Sequence, residues 1–131
     1  MNNLCIIPAR KGSKRIKNKN IVNFFGKPLI YYSIKNALNS KLFNDVIVST
    51  DCVNIKKISE KYGASVPFLR PKKLSNDQAS TKDVVDYVLQ KIGNKKYDYF
   101  CVIYPTSPLL QKKDLLKAFK KLSIVKKASG I

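Results

Sequence analysis

Residues 4–20 read Leu-Cys-Ile-Ile-Pro-Ala-Arg-Lys-Gly-Ser-Lys-Arg-Ile-Lys-Asn-Lys-Asn, a short apolar run that stops at Pro8 and gives way to a turn holding Arg10, Lys11, Lys14, Arg15, Lys17 and Lys19. A buried strand that empties into a cationic turn suggests an anion grip. Gly12 and Ser13 let backbone N–H groups turn inward, while arginine and lysine neutralise charge at close range. The turn is neither a Walker A loop nor a dinucleotide fingerprint, because Gly12 is the only glycine before Gly26. A solvated lysine-rich loop accounts for the same composition, so the pattern alone leaves both readings open.

Working outward, residues 3–7 are short, apolar and β-branched and read as a buried strand. After the cationic turn, which runs to about Asn23, Pro28 opens a helix with Leu29, Ile30, Ile34, Ala37 and Leu38 on one face, closed at Asn39-Ser40. Asp45 to Ser49 is the second strand. It delivers Ser49, Thr50 and Asp51 to a strand's carboxyl end, where open α/β sheets bind their ligands. Residues 53–62 form a helix with Val53, Ile55, Ile58 and Tyr62 available to the sheet, and Gly63 closes it.

A short extended piece from Ser65 to Leu69 leads into the polar segment 70–80, whose length favours a binding loop over a simple turn. Thr81 is read as the cap of a helix over 82–92 with the stripe Val84, Val85, Val88, Leu89 and Ile92. Asp98 to Ile103 is a further buried strand emptying into the turn Tyr104-Pro105-Thr106-Ser107-Pro108, and a last helix runs from about Gln111 to Leu122. The closing residues Ala128-Ser129-Gly130-Ile131 read either as a terminal tail or as the opening of another strand. This alternation predicts one domain over residues 1–131, a three-layer α/β sandwich with a Rossmann-like, mostly parallel sheet.

Charge bounds the partners. The chain has 26 basic and 8 acidic residues, a net charge of +18, with no acid before Asp45 and a lysine cluster at 112–127. A basic module for nucleic acid or other polyanions is therefore one functional alternative. Against it, only Arg10, Arg15 and Arg70 are arginine, whereas nucleic-acid readers lean on arginine forks and aromatic stacking. Much of the charge reads as a lysine bias on solvent faces, with weak polyanion affinity as its by-product and no specific nucleic-acid partner.

The absence of histidine excludes a histidine base or metal ligand. Three widely spaced cysteines, Cys5, Cys52 and Cys101, fit neither a disulfide framework nor a zinc site, and Cys5 and Cys101 read as core packing. No apolar run approaches the roughly 18 residues of a membrane span, and the first residues lack the pattern of a secretory signal. The cytoplasm is the expected location, with no membrane partner.

Several phrases in sequence order, Ile-Ile-Pro-Ala-Arg-Lys-Gly-Ser-Lys-Arg-Ile, Lys19-Asn20, Gly26-Lys27-Pro28-Leu29, Val48-Ser49-Thr50-Asp51, Phe68-Leu69-Arg70-Pro71 and Tyr104-Pro105-Thr106-Ser107-Pro108, resemble the cytidylyltransferases that activate nonulosonic acids, the CMP-sialic acid synthetases. The Tyr-Pro-Thr version with Val-Pro-Phe-Leu-Arg-Pro looks closest to the pseudaminic acid branch. The resemblance implies a nucleotidyltransferase-type fold and transfer of CMP from CTP to the anomeric hydroxyl of a 2-keto sugar acid, releasing pyrophosphate with Mg²⁺ present, for surface glycan or flagellin glycosylation.

By the same resemblance, Arg10, Ser13 and Lys19 match positions that hold the triphosphate, with Asn20 beside them, and Arg10 and Lys19 are the catalytic candidates. Ala9 and Arg70 match positions near the cytosine, Thr81 a hydroxyl against the nucleotide, and Asp77 nearby support. Tyr104, Thr106 and Ser107 fall where the family reaches the sugar. Tyr104 stands in place of a glutamine and Leu110 in place of an arginine, which bears on sugar choice. Family enzymes are longer, and their metal-binding aspartates and dimer arm belong to a second half, at positions that would lie beyond Ile131. Relative to them the chain reads as the nucleotide-binding half, incomplete at its C-terminus, with metal ligands unassigned. Asp51, at a strand end facing the cleft, is one candidate to help hold a metal, but a structural or helix-capping role is the expectation.

Overall fold

The computed structural model describes residues 2–12, 19–76, 79–93, 97–105 and 112–124. Strand β1 (Asn3–Pro8) lies at its centre, with Leu4, Cys5, Ile6 and Ile7 all fully buried. A strand apolar on both faces must be covered on both, and that requirement sets the layers. Between residues 20 and 30, strands β2 (Asn23–Phe24) and β3 (Lys27–Pro28) form a small antiparallel hairpin. Strand β4 (Asp45–Ser49) pairs with β1 in parallel, Ile6 opposite Ile47, and strand β5 (Tyr99–Val102) pairs in parallel on the other side, Cys5 opposite Cys101. The order β4-β1-β5 places the carboxyl ends of three parallel strands side by side.

Alternation along β1 divides the core. Cys5 and Ile7 join Val46, Val48 and Ile103 under helices α1 (Leu29–Ser40) and α2 (Val53–Lys61), through Ile30, Ile34, Ala37 and Ile55. Leu115 of helix α4 (Lys112–Ile124) packs into the same cluster. Leu4, Ile6 and Ile47 point the other way, onto Val85 and Val88 of helix α3 (Thr81–Ile92). Helices therefore cover both faces of a parallel sheet, the three-layer arrangement expected from sequence. Full burial of one Ile or Leu contributes about 1.5–3 kcal/mol, so the four central residues of β1 alone carry much of the stabilisation. Burial also pushes the Cys5 thiol well above its ordinary range, aided by Cys101, so it remains a neutral packing group. Cys101 is only partly buried and packs at the margin of the same cluster.

Several local expectations change. The segment 23–28 folds as the β2-β3 hairpin before helix α1 begins, with Pro28 at the cap position. The Tyr32 hydroxyl donates to the Phe24 carbonyl and pins the hairpin to the helix. Helix α1 stops at Lys41, which takes a left-handed conformation (φ 58°) and donates its N–H to the Leu38 carbonyl. Val53 is 53% exposed, so α2 presents Ile55 and Ile58 to the core without it. Gly63 has φ +104°, a conformation that favours glycine, and a Cβ there would sit 2.9 Å from the movable end of the Leu38 side chain. The piece after it makes one bridge, Ile47 with Ser65, through Val48 N–H to Ser65 O at 2.9 Å and Ser65 N–H to Val46 O at 2.8 Å. Strand β5 is less buried than a continuous apolar run predicts, since Phe100 is 51% exposed. The closing residues Ala128 to Ile131, where another strand is one expectation, lie outside the described residues.

Candidate functional site

At the carboxyl end of β1 the chain leaves the sheet through Ala9, whose N–H donates to the Ser49 carbonyl at 2.8 Å. Ala9 is 1% exposed, so it lies behind the site as a wall and not in it. Arg10 follows, half-buried, and its carbonyl accepts from Asn20 Nδ2 at 2.9 Å. That bond closes the base of the cationic loop, since it joins its first residues to the short 3-10 turn Lys19–Ile21 that ends it. Asn20 is 2% exposed, and its Oδ1 has no partner among the described residues. A buried acceptor without a donor costs about 1–3 kcal/mol, which a ligand N–H or O–H would recover.

Opposite this loop stands the N-terminus of α3. Ser80, not Thr81, is the cap: its hydroxyl accepts from Asp83 N–H at 3.1 Å while Asp83 Oδ2 accepts from Ser80 N–H at 3.2 Å. The bond from the Ser80 backbone, with the Ser80 hydroxyl adding to it, holds the Asp83 carboxyl below its ordinary value. Thr81 is released from capping. Its hydroxyl instead bonds the Tyr104 hydroxyl at 2.8 Å, and the Tyr104 carbonyl accepts from the buried Ser33 hydroxyl at 3.0 Å. The start of a helix is the favourable place for negative charge, because its first N–H groups point outward.

Arg70 forms the floor. It is 6% exposed, its Nη2 donating to Ser49 O at 2.7 Å, its Nε to Ser49 Oγ at 3.3 Å and its Nη1 to Leu74 O at 3.2 Å. Its own N–H donates to Thr50 O at 2.7 Å. Burial lowers its pKa, Asp51 acts against that, and Arg10 adds to it, so the three charges interact. Ser49 and Thr50, expected to face a ligand, are 1% and 0% exposed and hold protein loops. Asp51 does not cap α2, whose cap Cys52 makes no side-chain cap bond. Its Oδ1 accepts from Lys11 N–H at 2.8 Å.

These elements enclose a cleft of about 170 Å³ lined by Arg10, Lys19, Asn20, Arg70, Thr81 and Tyr104 together with Pro8, Asn76, Ala79, Ser80, Val84 and Pro105. The first six of these are site residues expected from sequence, and they share one cavity. Ser13, Asp77, Thr106, Ser107 and Leu110 lie outside the described residues. Asn76 and Ser80, from the segment 70–80 read as a binding loop, also line the cleft, although neither is singled out as a site residue from sequence. Asn76 Oδ1 accepts from Ala79 N–H at 3.0 Å and shapes the approach to α3, and the Ser-x-x-Asp spacing at 80–83 is the sequence signal that locates the helix start.

Among the described residues, no group of three His, Cys, Asp or Glu side chains comes together to hold a metal ion. These residues therefore do not by themselves form a Mg²⁺ cage. The expectation that the metal-binding aspartates lie beyond Ile131 concerns positions outside this chain, and Ile131 itself is outside the described residues.

Three parallel strand ends, a cationic loop, a buried guanidinium and a helix N-terminus around one cleft define an anion-binding α/β domain of the nucleotide-handling class. A family profile described as cytidylyltransferase matches residues 4–127. Pseudaminic acid cytidylyltransferase of Campylobacter jejuni subsp. jejuni serotype O:2 is 52% identical over 123 residues, covering 92% of this chain and 53% of that protein. N-acylneuraminate cytidylyltransferase of Escherichia coli O18:K1:H7 is 39% identical over 117 residues, covering 89% of this chain and 27% of that protein. A solved CMP:2-keto-3-deoxy-manno-octonic acid synthetase complexed with CTP superposes with a TM-score of 0.81 over 95% of this chain and 48% of that one, at 22% identity, a likeness of fold alone.

The chain belongs to the cytidylyltransferase family. It spans about half the length of the Campylobacter jejuni pseudaminic acid cytidylyltransferases it matches. No helix among the described residues is long and apolar enough to cross a membrane.

Proposed function

We propose that this chain is the nucleotide-binding part of an enzyme that transfers CMP from CTP to the anomeric hydroxyl of a nonulosonic acid of the pseudaminic type. The observation that carries the reading is the convergence of Arg10, Lys19, Asn20, Arg70 and Thr81 on one cleft at the carboxyl end of a parallel sheet. In the reaction the anomeric hydroxyl oxygen attacks the α-phosphorus and gives up its proton to solvent, the bond to the bridging oxygen of the β-phosphate breaks, and pyrophosphate leaves with that electron pair. Charge develops on the non-bridging oxygens and the leaving group, so fixed cations and oriented N–H donors lower the barrier.

Arg10 and Lys19, with Ser13 from the same loop, take the triphosphate. Asn20 holds the Arg10 backbone in place and offers Oδ1 to a nucleotide N–H or O–H. Arg70 and Ala9 bound the base pocket, Thr81 meets the nucleotide beside the helix start, and Asp77 supports it. Tyr104, with Thr106 and Ser107 by the sequence resemblance, is the part proposed to recognise the sugar acid. CTP and the 2-keto sugar acid are the partners, Mg²⁺ is the metal such a reaction uses, and the cytoplasm, where CTP is made, is the compartment.

Calorimetric titration of CTP into wild type and Arg10→Ala tests the assignment. Loss of one charge-assisted phosphate contact is expected to weaken binding by about tenfold or more. Equal heats and affinities for the two proteins would remove it.

A further inference from the structure

The carboxyl end of β4 does more than end a strand. Over three consecutive residues it holds both walls of the cleft: Ser49 O accepts from Ala9 N–H and from the Arg70 guanidinium, Thr50 O accepts from Arg70 N–H, and Asp51 Oδ1 accepts from Lys11 N–H at 2.8 Å. The first two attachments are backbone carbonyls that any sequence would offer. The third is a side chain, and it is the one that reaches the cationic loop itself, one residue beyond Arg10.

A carboxylate here acts in two directions: it offsets the repulsion between Arg70 and Arg10, and it stands beside a cleft that suits an anion. The cleft is lined by Arg10, Lys19 and Arg70 and suits an anion, and a negative charge beside it repels that anion. Asp51 acts on the buried Arg70 guanidinium. A group that opposes ligand charge favours binding only if its geometry returns more than its charge costs. The returned quantity is loop order, because a ligand that needs the loop in one arrangement binds in proportion to the fraction of molecules already in it.

We infer that Asp51 is a positioning residue: its carboxylate fixes the Lys11 amide and so presets the Arg10 loop for the triphosphate before the nucleotide arrives. It touches no substrate atom and acts through the loop. The inference rests on the CTP reading of the cleft, and the two fail separately.

The test uses the 131-residue chain, CTP titration and amide hydrogen exchange, with Asp51→Ala and Asp51→Asn. Both variants remove the same negative charge, but asparagine keeps an oxygen where Lys11 N–H needs an acceptor. Positioning predicts CTP affinity about tenfold weaker in Asp51→Ala and within about twofold of wild type, or tighter, in Asp51→Asn, one charge-assisted bond being worth roughly a decade. Charge alone predicts that both variants bind CTP more tightly.

Tightening in both, or no change in either, overturns the inference while leaving the CTP reading intact. Failure of wild type to bind CTP removes that reading instead. A measurement on wild type alone covers the case in which Asp51→Ala does not fold. The Lys11 amide of the nucleotide-free protein should exchange more slowly than that of the neighbouring Gly12, and equal unprotected exchange at both would sink the proposal.

Discussion

Replacing Arg70 with alanine should cost the protein stability before it costs any ligand contact. The side chain is 6% exposed and makes three bonds, to Ser49 O at 2.7 Å, Leu74 O at 3.2 Å and Ser49 Oγ at 3.3 Å. Bonds from a charged donor are worth about 1.5–3 kcal/mol each, a gross loss of roughly 5–9 kcal/mol. Two effects reduce it. The variant no longer desolvates a guanidinium, which returns several kcal/mol, and Ser49 O keeps its bond from Ala9 N–H. A net loss of about 3 kcal/mol remains, equivalent to a fall in melting temperature of roughly 10 °C for a domain of this size. Arg70→Lys keeps the charge, but a single ammonium cannot span Ser49 and Leu74 together, so about 2 kcal/mol should still be lost. Thermal and urea unfolding followed by circular dichroism measure both variants. A melting temperature for Arg70→Ala within about 1 °C of wild type would show that the buried fork does not tie β4 to the 70–75 loop.

Two further outcomes follow from the packing. At the opposite end of the sheet the Tyr97 hydroxyl donates to Asp45 Oδ2, and burial together with that carboxylate pushes the Tyr97 pKa from its ordinary 10.0 up to about 12. The folded state then keeps a proton that the unfolded state releases, so this contribution is complete below pH 10 and is lost between about pH 10 and 12. Because Tyr97 is half-buried and screened by solvent, the difference between wild type and Tyr97→Phe in urea unfolding at pH 8 and pH 11 should be about 1 kcal/mol, and a difference independent of pH would contradict it. Ser80→Ala removes one half of the reciprocal cap of α3 and should destabilise by about 1 kcal/mol in the same unfolding assay.

How much of this is legible in sequence depends on the range of the interaction. Strand β1 and the helices are readable because burial on two faces or on one stripe leaves a periodic apolar pattern. The β2-β3 hairpin is not, since two-residue strands have no period. Its one local sign is the two-residue turn Phe25-Gly26, where Gly26 takes a positive φ of 86° and its N–H donates to Asn23 Oδ1 at 3.1 Å. The cap at Ser80 is written in the Ser-x-x-Asp spacing, one residue before Thr81, and that single step decides whether the Thr81 hydroxyl is occupied by its own helix or turned to Tyr104. The bonds of Arg70 to Ser49 and of Asp51 to Lys11 join residues 21 and 40 apart, and no local pattern carries them. An arginine buried to 6% also runs against what composition suggests for that residue type.

The same contrast resolves the meaning of the net charge. Among the cations of the cleft Arg70 is buried, and Arg10 and Lys19 are half-buried, whereas Lys113, Lys117 and Lys120 of α4 and Lys82 of α3 are exposed. Charges in contact with bulk solvent interact weakly beyond a Debye length of about 8 Å at physiological salt, and the flexible lysine stems lose entropy whenever they are fixed. Cations set against protein on most sides keep their field and have already lost that freedom. Such groups can distinguish a compact triphosphate from a diffuse polyanion, because the gain requires the anion to enter the cleft where Arg10, Lys19 and Arg70 converge. The excess of surface lysine therefore adds a weak, salt-sensitive attraction for any anion, whereas in the cleft Asn20 holds the Arg10 backbone and Ser49 holds the Arg70 guanidinium, so that a preference for a compact anion, as the proposed function requires, would come from these fixed groups.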